Sequence, residues 1–518
     1  MSEKHEEIIS VSNVISHNGG ITTFMSPHTG KPVHMIGDND VAMEFAEKME
    51  DFEVDPEEEK KLVKKIDMYL LPLICILYAL QFMDKNSLNW ASVLGLRKDL
   101  KMHGQMYSWA GSAFYYGYLF FEFFTSMSIQ RFPIIYVVSI YIVLWGVILC
   151  LHSVPQYPGF IVLRVILGGM ESAITPAFVI ITGQWYTKDE IFLRTAIWFS
   201  SNGAGTLIGS GGLAYNIYQH RENFNLAPWK LIFIINGVIT IGLGLIIPWH
   251  IPNKPTEAWF LNDREKRVLV QRIKRNQQGF GNKHFKKEQL YEALMDRRTW
   301  AFFFIGVTAC IPNGGISNFG AILLSTKLGY STSKTLLMGM PHGAVEFGGC
   351  IFFCWLYRFY KVRLFWGCAG QTVTIISFCF LAFAHNTKVE YAGYALTSML
   401  VVTLIVVESL IASNVAGHTK KVVTNAIFLI GYCAGNLIGP QTFKEDQAPQ
   451  YTSACIAMVV CACICMGIMI LLWIDYALEN KRREARMNDP TVVEFLMIAN
   501  HEFADLTDKQ NPLFRYAI

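Results

Sequence analysis

Charged side chains are scarce in this chain of 518 residues, of which only 16% are Asp, Glu, Lys or Arg. Soluble domains carry about 25%. Hydrophobic residues make up 52% of the chain and its mean hydropathy is positive. This balance excludes an ordinary soluble domain and predicts a protein that crosses a membrane several times. The net charge of +3 is too small to indicate a nucleic-acid partner, and we expect none.

Motifs of catalysis are also missing. The sequence contains no GKS or GKT phosphate loop, no HExxH and no GxSxG. We therefore expect no enzyme, no cofactor, no metal site and no direct use of nucleotide. The twelve cysteines all lie in apolar runs, where a disulfide framework is not expected. We interpret them as packing residues, including the alternating set Cys461, Cys463 and Cys465.

Twelve apolar runs are long enough to cross a bilayer, which takes about 20 residues. The first half predicts spans from residue 66 onward and at 105–126, 133–151, 159–182, 192–215 and 229–251, and the second half predicts them at 299–324, 335–356, 364–384, 391–417, 422–443 and 451–474. The sequence therefore predicts an all-α membrane protein whose twelve transmembrane helices form two six-helix bundles.

The polar segments divide the chain further. We expect an N-terminal tail at 1–65, a first bundle at 66–251, a central loop at 252–298, a second bundle at 299–474 and a C-terminal tail at 475–518. The N-terminal tail is polar and acidic, without a cleavable signal peptide, and is predicted to be largely disordered. Lys and Arg are dense before the first span, in the central loop and after the last span, which predicts that both termini are cytosolic.

Two pairs of charges interrupt the apolar runs. Asp84 and Lys85 are adjacent in the first run, and Arg164 and Glu171 are seven residues apart in the fourth. A charge at the bilayer centre costs roughly 2.5 to 3.5 kcal/mol on insertion scales, so such residues usually line a pathway or a site. Arg164 and Glu171 share a helix face but lie about 10 Å apart along the axis. Alternatively, they neutralise neighbours on other helices.

The depth of Asp84 decides whether it belongs to a site. About 31 helical residues, from Ile66 to Leu96, would exceed the thickness of the bilayer. We therefore predict a long helix with Asp84 and Lys85 at the depth of Arg164 and Glu171. The polar residues that break it are Asp84, Lys85, Asn86, Ser87 and Asn89. In the fourth run, Pro176 is predicted to bend the helix.

Other polar residues in the runs are weaker candidates. Three amides are candidates for substrate binding, although a buried amide can equally bridge two helices; they are Asn202, Asn313 and Asn436. The remaining ionisable residues lack a clear partner, except that His342 and Glu346 are spaced to form a local pair; the others are Glu122 and Glu408. Glycines at four-residue spacing indicate close helix packing; they are Gly205, Gly209, Gly431, Gly435 and Gly439.

Several stretches together resemble the fungal allantoate permease group of the anion:cation symporter family, within the major facilitator superfamily. They are CILYALQFMDKNSLNWASVLGLRKDLKMHG, RVILGGMES, RIKRNQQGFGN, IPNGGISNF, LLMGMPHGAVE, NLIGPQTF and DLTDKQNPLFRY. The resemblance extends from about Val54 to Tyr516. It implies the major facilitator fold and proton-driven uptake of a small organic anion across the plasma membrane by a monomer, with the lipid bilayer, protons and the anion as partners.

The resemblance also implies roles for individual residues. Asp84 and Glu171 match positions for proton coupling, and Lys85 and Arg164 match positions for anion binding, with Lys85 standing where some relatives have Arg. Allantoate and related ureido acids such as ureidosuccinate are the implied substrates, with dipeptides also compatible. Another small carboxylate or vitamin, namely nicotinate, pantothenate, a thiamine-related compound or a sulfur-containing acid, stays open, as do a nutrient receptor with a transporter fold and a channel.

Overall fold

The computed structural model describes residues 23–25, 32–34, 55–154, 156–275, 286–487, 492 and 506–518. Apart from the antiparallel strands β1 (Thr23–Met25) and β2 (Pro32–His34), the regular structure of these residues is helical. Most of the predicted N-terminal tail and residues 276–285 of the predicted central loop lie outside the described residues.

Twelve long helical segments follow one another, and each overlaps one predicted span. They are α1 (Pro56–Val93), α2 (Met106–Arg131), α3 (Ile134–Leu151), α4 (Tyr157–Trp185), α5 (188–219), α6 (Pro228–His250), α7 (Arg297–Lys327), α8 (Thr332–Leu356), α9 (Arg363–Phe383), α10 (Thr387–Asn414), α11 (His418–Gln441) and α12 (Thr452–Ala485). Ten of them, all but α2 and α5, are long and apolar enough to cross a membrane by length and composition.

The first helix is longer than predicted and is not broken. It begins at Pro56, where the Asp55 side chain accepts from the Glu57 amide and caps the helix, and it ends just before Gly95, whose φ of +105° suits glycine. The predicted break at residues 84–89 is wrong. Asn86 donates to the Phe82 carbonyl at 3.0 Å and Ser87 to the Met83 carbonyl at 2.9 Å. These polar side chains bond to their own helix and so do not interrupt it.

The fourth segment is interrupted one turn before Pro176, the residue that the sequence analysis singled out. It consists of two helices, Tyr157–Glu171 and Ile174–Trp185, separated by Ser172 and Ala173. Pro176 has no amide to donate to the Ser172 carbonyl four residues earlier, which ends the first helix there. Glu171 is therefore the last residue of a helix inside the first bundle.

The segments form two bundles. In the first, α1 packs against α5 and α6, α3 against α6, and α2 against α4; in the second, α7 packs against α11 and α12, and α9 against α10 and α12. The predicted glycine packing is found in both. A Cβ on Gly205 would lie 2.2 Å from the Ala79 carbonyl oxygen, and one on Gly435 would lie 2.5 Å from that of Val307.

The two bundles meet through α1–α7, α2–α11 and α5–α8. We call the end where α1 and α7 begin the terminal end, and the opposite end the far end. Among the described residues, the hydrogen bonds between bundles lie in the far half; they include Asn89 Oδ1 with the Ala321 amide (2.8 Å), Tyr107 with the Asn318 carbonyl (2.7 Å), Ser112 with the Leu437 carbonyl (2.8 Å) and Ser210 with the Leu336 carbonyl (2.5 Å).

Two glycines allow α5 and α8 to touch near their middles, and this contact gives a testable prediction. A Cβ on Gly343 would lie 2.5 Å from the Gly203 carbonyl oxygen. We expect Gly343→Ala to destabilise the folded protein by about 1–3 kcal/mol, because the two backbones must move apart. Thermal unfolding in detergent measures this. Gly348→Ala on the same helix is the matched control, since its Cβ would meet nothing within 4 Å. Equal unfolding temperatures for the two variants would contradict the prediction.

The C-terminal segment 506–518 packs back onto the terminal end of the second bundle, which the sequence did not predict. Asn414 Nδ2 donates to the Ala517 carbonyl at 2.8 Å, and the Arg363 amide donates to the Ile518 carbonyl at 2.7 Å. Lys420 on α11 is only 2% exposed and is surrounded by three carboxylates; they belong to Glu292 (2.9 Å), Asp296 (2.9 Å) and Asp508 (2.6 Å). We call these four residues the Lys420 network.

Candidate functional site

The adjacent charges on α1 lie inside the first bundle, not at its surface. Asp84 is 1% exposed, and its Oδ2 accepts a hydrogen bond from the indole Nε1 of Trp145 on α3 at 2.6 Å. Nine helical residues separate it from the end of α1, which is about 14 Å. The prediction that Asp84 lies within the span is therefore confirmed.

Lys85 faces α4. Its Nζ lies 3.9 Å from Oε2 of Glu171, and it also lies 5.9 Å from the ring centroids of Phe114 and Tyr118 on α2. The Lys85 side chain keeps 15% exposure, whereas that of Glu171 has none. Lys85 is thus the member of the pair that reaches open space, and its ion pair with Glu171 is a loose one.

Arg164 completes the cluster from the first half of α4. It is 2% exposed, its Nε donates to the Ala110 carbonyl at 3.3 Å, and its guanidinium lies 5.7 Å from the Phe114 ring centroid. Arg164 and Glu171 on the first helix of α4, together with Asp84 and Lys85 on α1, form one electrostatic cluster. We call these four residues the charged cluster.

Three carboxyl oxygens of the charged cluster have no hydrogen-bond partner among the residues that the structure describes. They are Oδ1 of Asp84 and both Oε atoms of Glu171. The carboxyl groups of Asp84 and Glu171 are close enough to interact electrostatically, although the described residues show no hydrogen bond between them. Two carboxylates repel each other, but a proton on one of them gives the other a donor. This pair is therefore suited to hold a proton between α1 and α4.

The predicted amides do not join this cluster through any hydrogen bond among the described residues. Asn313 Nδ2 donates to Oδ1 of Asn436 at 2.9 Å, and Asn436 Nδ2 donates to the Tyr432 carbonyl at 2.9 Å. This pair bridges α7 and α11 inside the second bundle. Asn202 is buried on α5, where its backbone carbonyl accepts a hydrogen bond from the Thr206 hydroxyl.

A cavity of about 30 Å³ lies between the bundles. Residues from α1 and α5 line one side of it, and residues from α7, α8, α9 and α10 line the other. Its polar lining residues are Asn86, Asn89, Thr206, Asn313, Ser317, His342, Glu346, Tyr394, Thr397 and Ser398. Asn313 therefore reaches the space between the bundles in addition to bridging two helices.

Sequence reasoning missed Trp145, the hydrogen-bond donor to Asp84. Trp145 lies in a run of apolar residues on α3 that contains no charge. A tryptophan in such a run is typical of packing, and only its hydrogen bond to Asp84 on α1 reveals its role. His342 and Glu346 both line the cavity, but no hydrogen bond or ion pair between them occurs among the described residues.

Comparison with known proteins identifies the class. Residues 74–440 match the family model of the Major Facilitator Superfamily, and the chain belongs to this superfamily. It is therefore a multi-pass membrane transporter and not an enzyme. Two solved transporters share the fold: the xylose transporter XylE of E. coli (TM-score 0.55, 13% identity, covering 76% of this chain and 95% of that one) and a bacterial homolog of the human lysosomal transporter Spinster (TM-score 0.55, 14% identity, 78% and 96%).

Closer relatives are fungal. The chain is 44% identical to the allantoate permease of Saccharomyces cerevisiae over 100% of this chain and 98% of that protein. It is 45% identical to an uncharacterized transporter of Schizosaccharomyces pombe, over 92% of this chain and 93% of that one. A thiamine pathway transporter of S. cerevisiae is 31% identical over 88% and 86%. The resemblance to the allantoate permease group is thus confirmed.

Proposed function

We propose that this protein is a proton-coupled symporter that imports a small organic anion, with allantoate or a related ureido acid such as ureidosuccinate as the first candidate and dipeptides as a second. The observation that carries the proposal is the charged cluster, which combines two neighbouring carboxyl groups with two cations in a buried position. The similarity to an allantoate permease supports the choice of substrate.

In this proposal Asp84 and Glu171 take up protons, and Lys85 and Arg164 attract the anion. Lys85 is loosely paired with Glu171 at 3.9 Å. A proton on Glu171 removes the negative charge that competes for Lys85, so Lys85 becomes available to a substrate carboxylate. Binding of the proton then strengthens binding of the anion, and binding of the anion strengthens binding of the proton. The bundles rock about the site and expose it at the other face of the membrane.

The number of protons transported with each anion decides which gradient drives transport. One proton with a monoanion moves no net charge, so only the pH difference contributes, about 1.4 kcal/mol per pH unit. A second proton adds one positive charge, which contributes about 2.3 kcal/mol per 100 mV. The two carboxyl groups of the cluster are compatible with either number.

Uptake by cells that lack their own permease tests the proposal. We expect a screen with allantoate, ureidosuccinate and dipeptides as sole nitrogen sources to give acid-stimulated accumulation of at least one of them. Proton-independent current would indicate a channel, and a cellular response without accumulation would indicate a receptor.

The proposal also places the protein in the plasma membrane as a monomer with both termini in the cytosol. Microscopy of the tagged protein tests its location, and protease protection of the tags tests the side on which the termini lie. Light scattering of the purified protein tests the proposed monomer.

The relationship to a thiamine pathway transporter favours a second candidate, another small carboxylate or vitamin. Nicotinate, pantothenate, thiamine-related compounds and sulfur-containing acids belong in the same screen. Accumulation of one of these, with no uptake of ureido acids, would replace the first candidate while leaving the coupling mechanism unchanged.

Lys85 gives a specific prediction. We expect Lys85→Ala to raise the apparent KM for the anion about tenfold or more, because a hydrogen bond to a charged group contributes about 1.5–3 kcal/mol. Lys85→Arg keeps the charge and should recover part of the affinity. Lys98→Ala, at an exposed lysine, is the control. An unchanged KM in Lys85→Ala would remove Lys85 from the binding site.

A further inference from the structure

A buried carboxyl group outside the charged cluster has no assigned role. Glu346 on α8 is 1% exposed, and its Oε1 lacks a hydrogen-bond partner in the described part of the chain. No ion pair involves Glu346 among the described residues. The contact between α5 and α8 fixes its position, because a Cβ on Gly203 would lie 2.9 Å from Cβ of Glu346. A free carboxyl oxygen held rigidly at this depth costs stability and calls for a ligand.

Glu346 lines the cavity between the bundles. His342, one turn earlier on α8, lines it too, and its ring lies 5.3 Å from that of Tyr394 on α10. Asn86 borders the cavity from α1 and directly follows Lys85 in the chain. The cavity therefore adjoins α1, which carries Asp84 and Lys85 of the charged cluster. Its second-bundle side offers hydrogen-bond acceptors, and the described residues that line it include no lysine or arginine.

We propose that Glu346, with His342 beside it, forms the subsite that binds the amide or ureido N–H groups of the substrate, while Lys85 and Arg164 bind its carboxylate. This assignment rests on the proposed function, since it extends the same anion site across to the second bundle. It makes the substrate a two-ended molecule that touches both bundles at once.

A carboxyl group is a close complement of a ureido group in either protonation state. As a carboxylate it accepts two parallel N–H bonds from the two nitrogens. As an acid it donates to the ureido oxygen and accepts from one N–H. An ammonium group, in contrast, is matched only by the ionised form. The cavity of about 30 Å³ has room for about one water molecule, so the ureido group enters when the bundles separate.

Two small anions of the same shape test this assignment. Hydantoate carries a ureido group, and levulinate replaces its NH and NH₂ by CH₂ and CH₃ while keeping the carboxylate and the ketone oxygen. Binding to the purified full-length protein, measured by competition in lipid nanodiscs, needs no proton gradient. We expect the wild type to prefer hydantoate, and Glu346→Ala to weaken hydantoate binding about tenfold or more while changing levulinate binding less than twofold.

Control variants separate recognition from folding. Glu346→Gln keeps one acceptor oxygen and should restore part of the preference, and Glu222→Ala removes an exposed carboxylate and should change nothing. Retained levulinate binding shows that Glu346→Ala is folded. Equal loss of both anions, no loss of either, or a loss confined to the ammonium-bearing 4-aminobutanoate would overturn the assignment. If the wild type binds both anions equally, the proposed subsite for ureido N–H groups is wrong but the proposed function stands. If the wild type binds neither anion, the proposed substrate class is wrong as well.

Discussion

We expect Glu171→Gln and Asp84→Asn each to abolish acid-driven accumulation of the anion while leaving the protein folded in the membrane. The amide side chains have nearly the same shape as the acids but neither gain nor lose a proton. The Glu171 side chain has no exposed surface, so its replacement removes a titratable group from the interior of the first bundle. Uptake of labelled substrate at acidic and neutral external pH measures the effect.

Exchange of substrate across the membrane distinguishes lost coupling from lost binding. Both variants should still exchange labelled for unlabelled anion, because exchange needs binding and movement of the bundles but no net proton transfer. Glu222→Gln, whose side chain is 88% exposed, is the matched control and should accumulate normally. If both variants concentrated substrate under a proton gradient, the assignment of coupling to Asp84 and Glu171 would be wrong.

A second large effect is expected at the Lys420 network, on stability instead of transport. Lys420→Met leaves the carboxylates of Asp296 and Asp508 buried without their main cation. Removal of one partner from a buried ion pair costs about 3–5 kcal/mol. Burial alone would raise the pKa of Asp296, but Lys420 and Lys509 hold it below its ordinary value, so this carboxylate stays charged. Thermal unfolding of the detergent-solubilised protein measures the loss.

Lys388→Met is the control for this prediction, since Lys388 is an exposed lysine at the far end of α10. Removal of residues 506–518 should reproduce part of the loss, because Asp508 then leaves the network. An unfolding temperature of Lys420→Met equal to that of Lys388→Met would show that the network contributes nothing to stability.

The sequence predicted the order of the helices and the members of the charged cluster, because charges inside apolar runs are conspicuous. It did not predict how their partners reach them. Trp145 resembles any apolar residue until the folded bundle places it beside Asp84. The predicted break in α1 was wrong because Asn86 and Ser87 bond to their own helix. The sequence marked Glu346 only as a weak candidate. What distinguishes Glu346 is a buried carboxyl oxygen without a hydrogen-bond partner among the described residues, and this can be seen only in the fold.

The docking of the C-terminal segment could not be predicted from the sequence for a different reason. Its stretch DLTDKQNPLFRY contributed to the family resemblance but carried no apolar periodicity from which docking follows. Asp508 contacts Lys420, 88 residues earlier, and Ala517 contacts Asn414, 103 residues earlier. Contacts over such separations follow from the assembled bundle and not from local pattern.

The interface between α5 and α8 determines how much free energy is needed to separate the two bundles there. Its centre is a contact between glycine backbones, and the nearby bonds between bundles are neutral hydrogen bonds, each with a net contribution of about 1 kcal/mol. Such a seam opens and closes at small energetic cost. The Lys420 network, with three carboxylates around one lysine, is far too costly to break at each turnover. In the proposed mechanism the neutral contacts between α5 and α8 separate at each turnover, whereas the Lys420 network stays intact within the second bundle.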